Sequence, residues 1–300
     1  MNTAFVQFNM SNNKYEVFYD EKRIAQSRNK AYFYNCFDKK KFKQYQITKL
    51  QDIENSVNNV SLEQVAPATD FSINERFDFI ESFVEMVANN KAKSLIISGS
   101  GGTGKTYTVL KKLTEMNKSE NDDFVVYKGY SSAKGLYRIL FENKNKIIIL
   151  DDLDSIFKDA TATNLLKAAL DSYDKRIITW NVENMLCDDM PKRFEFEGSV
   201  IFISNLPINK IPQAVVSRGL RVDLTMSNNE MVERIASVMN TKNFMDGSIS
   251  NIVKNEVIDF IKKNINVFKD LNIRTAINIV NIRLNQINNW QRLALYMATA

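Results

Sequence analysis

Apolar positions in the middle of the chain fall into short unbroken runs separated by longer periodic stretches. SLIIS (94–98), FVVYK (124–128), KIIIL (146–150) and SVIFIS (199–204) are such runs, and RIITWNV (176–182) and LRVDLTM (220–226) extend the series. Cores such as IIIL and VIFI show no polar alternation, as expected of parallel strands covered on both faces by helices. The stretches between them, KTYTVLKKLTEM, AKGLYRILFEN and NLLKAALDSY, read as helices. Upstream, Ile73, Phe77, Ile80, Phe83, Val84 and Val87 recur with helical spacing, and Ser72 followed by Glu75 has the form of a capping box. Beyond Ser227 the strand signal stops. NNEMVERIASVMN, SNIVKNEVIDFIKKNI and LNIRTAINIVNIRLNQI keep helical periods and predict a small helical bundle. The pattern therefore predicts an α/β fold with a parallel sheet core between helical layers.

The first 68 residues differ. KYEVFYDEKR and AYFYNCFDKKKFKQYQ are rich in Tyr, Phe and Lys, and VAPATDFS closes them like a linker. A small N-terminal module of short strands and one helix is expected over 1–68, a core domain over 69–226 and a helical subdomain over 227–300. Composition narrows the chemistry. With no histidine among 300 residues, His-based acid–base catalysis and His-ligated zinc are excluded. Cys36 and Cys187 form no metal or redox spacing, so free thiols in a reducing cytoplasm are expected. A net charge of +5 permits a nucleic-acid partner without requiring one. No apolar run reaches the roughly 20 residues needed to cross a bilayer, and Met1 to Met10 lacks a signal-peptide pattern.

The segment Gly99-Ser100-Gly101-Gly102-Thr103-Gly104-Lys105-Thr106 fills every fixed position of G-x-x-x-x-G-K-[ST], between a predicted strand and a predicted helix. Glycines let backbone amides turn inward around phosphate oxygens, and the following helix aims its positive end at the same oxygens. Lys105 is expected to bridge the outer phosphates of ATP and Thr106 to ligate Mg²⁺. Some 45 residues later IIILDDLD places carboxylates at the carboxyl end of a buried strand. Asp151 is expected to hold the magnesium through water, and Asp152 to orient or deprotonate the attacking water.

These two elements, in this order, resemble the AAA+ ATPases over roughly residues 72–288. The resemblance extends to three further positions. SVIFISNLP places Asn205 where that family carries its sensor-1 polar residue. AVVSRGLRVDL places Arg218 in a Ser-Arg-Gly context similar to the arginine finger of sliding-clamp loaders. LNIRTAINIV places Arg274 at the sensor-2 position of a helical lid. One departure stands out: most members carry Asp-Glu where this chain has Asp151-Asp152. The aspartate pair also occurs in replication initiators and helicase loaders, and the shorter side chain makes slow, switch-like turnover plausible.

The resemblance implies a P-loop fold with a C-terminal lid, ATP and Mg²⁺ as ligands, and a homo-oligomeric ring or spiral in which Arg218 acts in trans. LLKAALDSYDKRIITW and FEFEGSVIFISNLP are also similar to uncharacterised ATPases of tailed bacteriophages, which implies work on phage DNA alongside a replication or recombination protein. Tyr32, Phe33, Tyr34, Phe37, Lys39, Lys40, Lys41, Lys43 and Tyr45 interleave rings and cations, either as a single-strand-binding surface or as a small core with a solvated edge. Lys192 and Arg193, in the segment 183–198 between two strands, are either pore-facing cations or part of a surface excursion. Three functions compete: an oligomeric ATPase that remodels or loads a DNA-associated substrate, an ATP-controlled assembly switch that recruits a helicase or nuclease, and a small-molecule P-loop kinase.

Overall fold

A computed structural model describes residues 3–9, 14–19, 22–27, 49–52, 71–181, 190–285 and 288–299. The chain separates into two compact units, Met1–Glu63 and Gln64–Ala300. The described part of the first unit is a four-stranded sheet of β1 (Thr3–Asn9), β2 (Lys14–Tyr19), β3 (Lys22–Ser27) and β4 (Lys49–Asp52) in the order β3-β2-β1-β4. β1 and β4 pair in parallel; the two hairpin pairs are antiparallel. The basic–aromatic stretch 32–45, and both cysteines, lie outside the described residues.

The second unit is built on a five-stranded parallel sheet. Its strands are β5 (Ser94–Ser98), β6 (Phe124–Lys128), β7 (Ile147–Asp151), β10 (Ser199–Ile203) and β11 (Leu220–Asp223), in the order β11-β5-β10-β7-β6. The three inner strands are buried at every residue, which is why their sequences show no alternation. Successive side chains still point to opposite faces. Leu95, Ile97, Ile147, Ile149, Ile201 and Ile203 enter one hydrophobic cluster, and Ile96, Ile148, Leu150, Val200 and Phe202 enter another.

The first cluster is closed by α1 (Ile73–Ala88), α2 (Lys105–Glu115) and the C-terminal helices; the second by α3 (Ala133–Glu142) and α4 (Ala160–Leu170). Helix α1 begins with the capping box that its sequence predicts: Ser72 Oγ accepts from the Glu75 amide at 3.3 Å while the Ser72 amide donates to Glu75 Oε2 at 2.8 Å. The same helix anchors the chain where it leaves the sheet. Arg76, 4 % exposed, donates to the carbonyls of Asp223 and Thr225 and pairs with Glu230, so one buried guanidinium joins α1, the end of β11 and the first C-terminal helix. The C-terminal helices are α6 (Asn228–Met239), α7 (Asn251–Lys263), α8 (Ile273–Asn285) and α9 (Trp290–Thr299), with the short α5 (Gln213–Val216) preceding β11.

One expected strand lies elsewhere than in the core. Among the described residues of RIITWNV, Ile177–Thr179 forms a strand, β8, and it pairs antiparallel with β9 (Arg193–Glu195) in a two-stranded ribbon outside the parallel sheet. The ribbon buries one face: Ile178, Trp180 and Phe194 join the second cluster while Thr179 is exposed. Arg176 fixes its base by donating to the carbonyls of Ala169, Glu197 and Gly198 and by stacking on Phe196, with the guanidinium carbon 4.9 Å from the ring centroid. Arg193 thus belongs to a strand; residues 182–189 lie outside the described residues. Among the described residues no helix is long and apolar enough to cross a membrane.

Candidate nucleotide-binding site

Inserting β10 between β5 and β7 brings three strand ends to one level. Ile203 pairs with Ile97 on one side and Asp151 on the other, so the loop after β5, the Asp151-Asp152 turn and Ser204-Asn205 emerge side by side at the carboxyl edge. A crevice of this kind is where open α/β sheets bind ligands. Two glycines of the loop after β5 are required by close approach as well as by backbone angle. Gly99 has φ +139 and lies so near the Leu224 side chain that an added Cβ would stand 2.8 Å from Leu224 Cβ. Gly102 has φ +72, and its added Cβ would stand 2.9 Å from Asn272 Cγ. Helix α2 then starts at Lys105 behind Gly104, leaving its first amides directed at the loop.

Lys105 is 5 % exposed, and its ammonium donates to the carbonyl oxygens of Gly99 at 2.6 Å and Ser100 at 2.8 Å and to Asn205 Oδ1 at 2.9 Å. Burial pulls its pKa down to about 8, against the opposing pull of Asp152, Asp151 and Asp154, while the charge of Arg274 lowers it further. Thr106 Oγ1 donates to Asp151, with both carboxylate oxygens at 3.0 Å. Asp151 is 5 % exposed and is also met by the Lys128 ammonium, 3.1 Å from Oδ2. Asp152 stands in the left-handed region at φ +59, where its amide donates to the Ile203 carbonyl at 3.0 Å. Desolvation, and then the charge of Asp151, raise its carboxyl pKa, with Lys105 and a hydrogen bond to Asn205 opposing. A carboxylate moved in that direction is a better proton acceptor.

Sequence reasoning missed three contributors. Asp154 accepts from Ser204 Oγ at 2.6 Å and from the Asn205 amide at 3.3 Å, so the last acid of DDLD positions Asn205 rather than facing a ligand. Its signal was present in the third aspartate of that run. Lys128 had none, because a lysine closing an edge strand reads as a solvated end. The third is the start of α8: the Ile273 amide donates to the Gly102 carbonyl at 3.0 Å, tying the C-terminal helices to the loop. Asn272 Oδ1 accepts from the Thr275 amide at 3.0 Å, which begins the helix directly against Gly102. Arg274, the second residue of α8, is thereby held near enough to Lys105 to disfavour its proton.

The structure thus gathers residues 99–106, Asp151, Asp152, Asn205 and Arg274 into one crevice. Arg218 is elsewhere. It lies between α5 and the start of β11, and its carbonyl accepts from Ser94 Oγ at 3.3 Å, at the amino end of β5. β5 is five residues long, so at about 3.3 Å per residue Arg218 and the glycine loop are separated by about 16 Å of strand. Its guanidinium donates to the Ala214 carbonyl and lies 3.7 Å from Asp171 Oδ2.

Parallel sheet, strand order and phosphate-type loop together define a P-loop nucleoside triphosphatase fold. Residues 95–228 match the family described as ATPase family associated with various cellular activities (AAA). The chain is 31 % identical over 241 residues to an uncharacterised 36.7 kDa protein of Enterobacteria phage T4, covering 74 % of this chain and 73 % of that protein. It is 28 % identical to the vesicular-fusion protein SEC18 of Saccharomyces cerevisiae, over 64 % of this chain and 29 % of that one. It is 20 % identical to replication factor C subunit 5 of Mus musculus, over 63 % of this chain and 62 % of that one. The chain belongs to the AAA family, whose members are generally ATPases that bind nucleotide with Mg²⁺.

The residues fit such a metal. Among the described residues no cluster of three His, Cys, Asp or Glu side chains forms a protein-only cage. Mg²⁺ beside a nucleotide does not need one, because it takes one or two protein oxygens and completes its shell with phosphate and water. Thr106 and Asp151 provide hard oxygens, and a cation, the Lys128 ammonium, already stands against Asp151.

Proposed function

We propose that this chain binds and hydrolyses ATP as one subunit of a head-to-tail oligomer. In this reading it remodels or loads a nucleic-acid-associated substrate, in phage DNA metabolism within the host cytoplasm. The observation that carries the reading is the division of the site: phosphate-binding and acidic groups converge at one edge of the sheet, and Arg218 lies about a strand length away at the other. Residues 99–106 would cradle the phosphates, with Lys105 turning from the Gly99 and Ser100 carbonyls to the outer phosphates. Thr106 and Asp151 would hold Mg²⁺, which supplies neutralisation of the charge building on the phosphates. Asp152 would accept a proton from the attacking water, and Asn205, held by Asp154, would orient that water. Arg274 would tie the lid, residues 227–300, to the terminal phosphate. Arg218 would complete the neighbouring subunit's site, since cationic fingers can act in trans. The phage T4 relative supports the phage setting and the replication-factor relative supports the DNA setting.

A second reading, an ATP-controlled assembly switch with little turnover, is favoured by Asp152 itself. Its carboxylate is one methylene shorter than glutamate and is held by a positive-φ backbone. Steady-state hydrolysis measured over a range of protein concentrations, with single-stranded DNA, duplex DNA or neither, separates the two. Remodelling predicts specific activity that rises with protein concentration and again with DNA. Nucleotide-dependent assembly with negligible turnover throughout would favour the switch.

The depressed pKa of Lys105 gives a test of the binding step alone. In the nucleotide-free site the ammonium is half deprotonated near pH 8. Anionic phosphates favour the charged form and raise the pKa, so the share of proton uptake that belongs to Lys105, the wild type minus Lys105→Arg, is about half a proton at pH 8 and almost none at pH 6.5. Calorimetry of ATP binding in buffers of different ionisation enthalpy reads the number directly. Lys105→Arg, protonated throughout, supplies the baseline; an equal share at both pH values would remove Lys105 from the phosphates.

A further inference from the structure

Lys128 takes no part in the catalytic set, yet its position is specific. It is the last residue of β6 and the register partner of Asp151, the last residue of β7. Its ammonium is 3.1 Å from Asp151 Oδ2, on a carboxylate whose two oxygens are both within 3.0 Å of Thr106 Oγ1. Around them Asp151, Asp152 and Asp154 all act on Lys105, with Arg274 opposing, yet the three hydrogen bonds of the Lys105 ammonium go to Gly99, Ser100 and Asn205 and none to Asp151. A carboxylate as buried as Asp151 is costly without a counter-charge. Lys128 provides one through a side chain that is 61 % exposed. A pair so open to water is worth only about 0–1 kcal/mol and is easily exchanged.

We propose that Lys128 is a displaceable counter-cation: it neutralises Asp151 until nucleotide binds, and a divalent cation arriving with ATP must compete with it for the charge of Asp151. Lys128 then sets the Mg²⁺ concentration at which the site takes up nucleotide, and it restrains the acidic crevice from collecting metal on its own. The inference rests on the proposed role of Asp151 in holding the metal.

Binding of a fluorescent, slowly hydrolysed ATP analogue is followed as MgCl₂ is titrated at low ionic strength, for the wild type, Lys128→Met and Lys128→Arg. Lys128→Met is expected to lower the Mg²⁺ midpoint about fivefold, the equivalent of a 1 kcal/mol competition. Lys128→Arg keeps the charge and is expected to stay within twofold of the wild type. A Lys128→Met midpoint unchanged within twofold overturns the proposal, and so does a raised one, which would make Lys128 a holder of the Mg–nucleotide complex. Thermal melting without nucleotide confirms the fold of each variant, with Lys128→Gln as the alternative neutral residue. If the folded wild type takes up no analogue at any Mg²⁺ concentration, the nucleotide site fails and Lys128's role with it. Analogue uptake with unmoved midpoints leaves the site standing and removes Lys128 alone.

Discussion

Arg218→Ala is expected to bind ATP with unchanged affinity and to lose about 10³-fold or more in steady-state hydrolysis, the scale set by removal of arginine fingers. The reason is geometric. A cation that stabilises charge on a transferring phosphoryl group must touch it, and in this chain β5 separates Arg218 from the glycine loop. Its contacts within the subunit are modest, a bond to the Ala214 carbonyl and the 3.7 Å approach to Asp171, so truncation leaves the fold intact. A head-to-tail interface, which closes into rings or extends into spirals, repeats one contact around the assembly. Mixing decides whether the residue works from next door. Arg218→Ala supplies a complete set of acidic groups, and Asp152→Asn supplies an intact Arg218. If each is inactive alone, an equimolar mixture should regain about one quarter of wild-type interfaces, because half of the sites are competent and half of their neighbours carry the arginine. Full activity of Arg218→Ala in dilute solution would end the oligomeric reading.

The sheet was legible because its physics is local. β5, β7 and β10 are buried on both faces, so each of their positions had to be apolar or strand-ending, and no alternation blurred the signal. RIITWNV misled for the same reason in reverse. Its apolar residues are as β-prone as the core strands, but Thr179 faces water and Arg176 closes the segment onto α4 and the residues after β9. That difference is decided by tertiary partners, which no window of seven residues contains.

The site divides along the same line. Residues 99–106 were legible because the close approach of Leu224 to Gly99, and of Asn272 to Gly102, writes glycine directly into the sequence. Asp151 and Asp152 were legible as carboxylates at a strand end. Asp154 and Lys128 were not: the first acts on Ser204 and Asn205 fifty residues away, the second through strand register, and both relations exist only after β10 and β6 have taken their places beside β7. The seam between α8 and the loop is another such relation. The Ile273–Gly102 bond joins residues from opposite ends of the unit, and only the fold brings them within 3.0 Å.

Lys105→Ala is expected to raise the Kd for ATP by about 10² to 10³-fold, as truncating one member of a buried charge pair costs roughly 3–4 kcal/mol. The contacts of Lys105 show why the loss should fall on binding rather than folding. The Lys105 ammonium is held by two loop carbonyls and Asn205, and burial already disfavours its charge enough to bring its pKa to about 8. It is a desolvated cation waiting among acceptors that a phosphate can replace. Removing it relieves that desolvation, which offsets the loss of a donor to the buried Gly99 carbonyl and to the Ser100 carbonyl. The apo melting temperature should therefore change little, whereas the phosphates would face Asp151 and Asp152 with one cation fewer. Lys105→Arg should recover part of the affinity, because the charge returns but the planar fork cannot occupy the space of an ammonium. Calorimetric titration of both variants beside the wild type measures this. An Ala variant that binds ATP within threefold of wild type would show that residues 99–106 hold no phosphate, and the case for this crevice as the nucleotide site would fail on that one number.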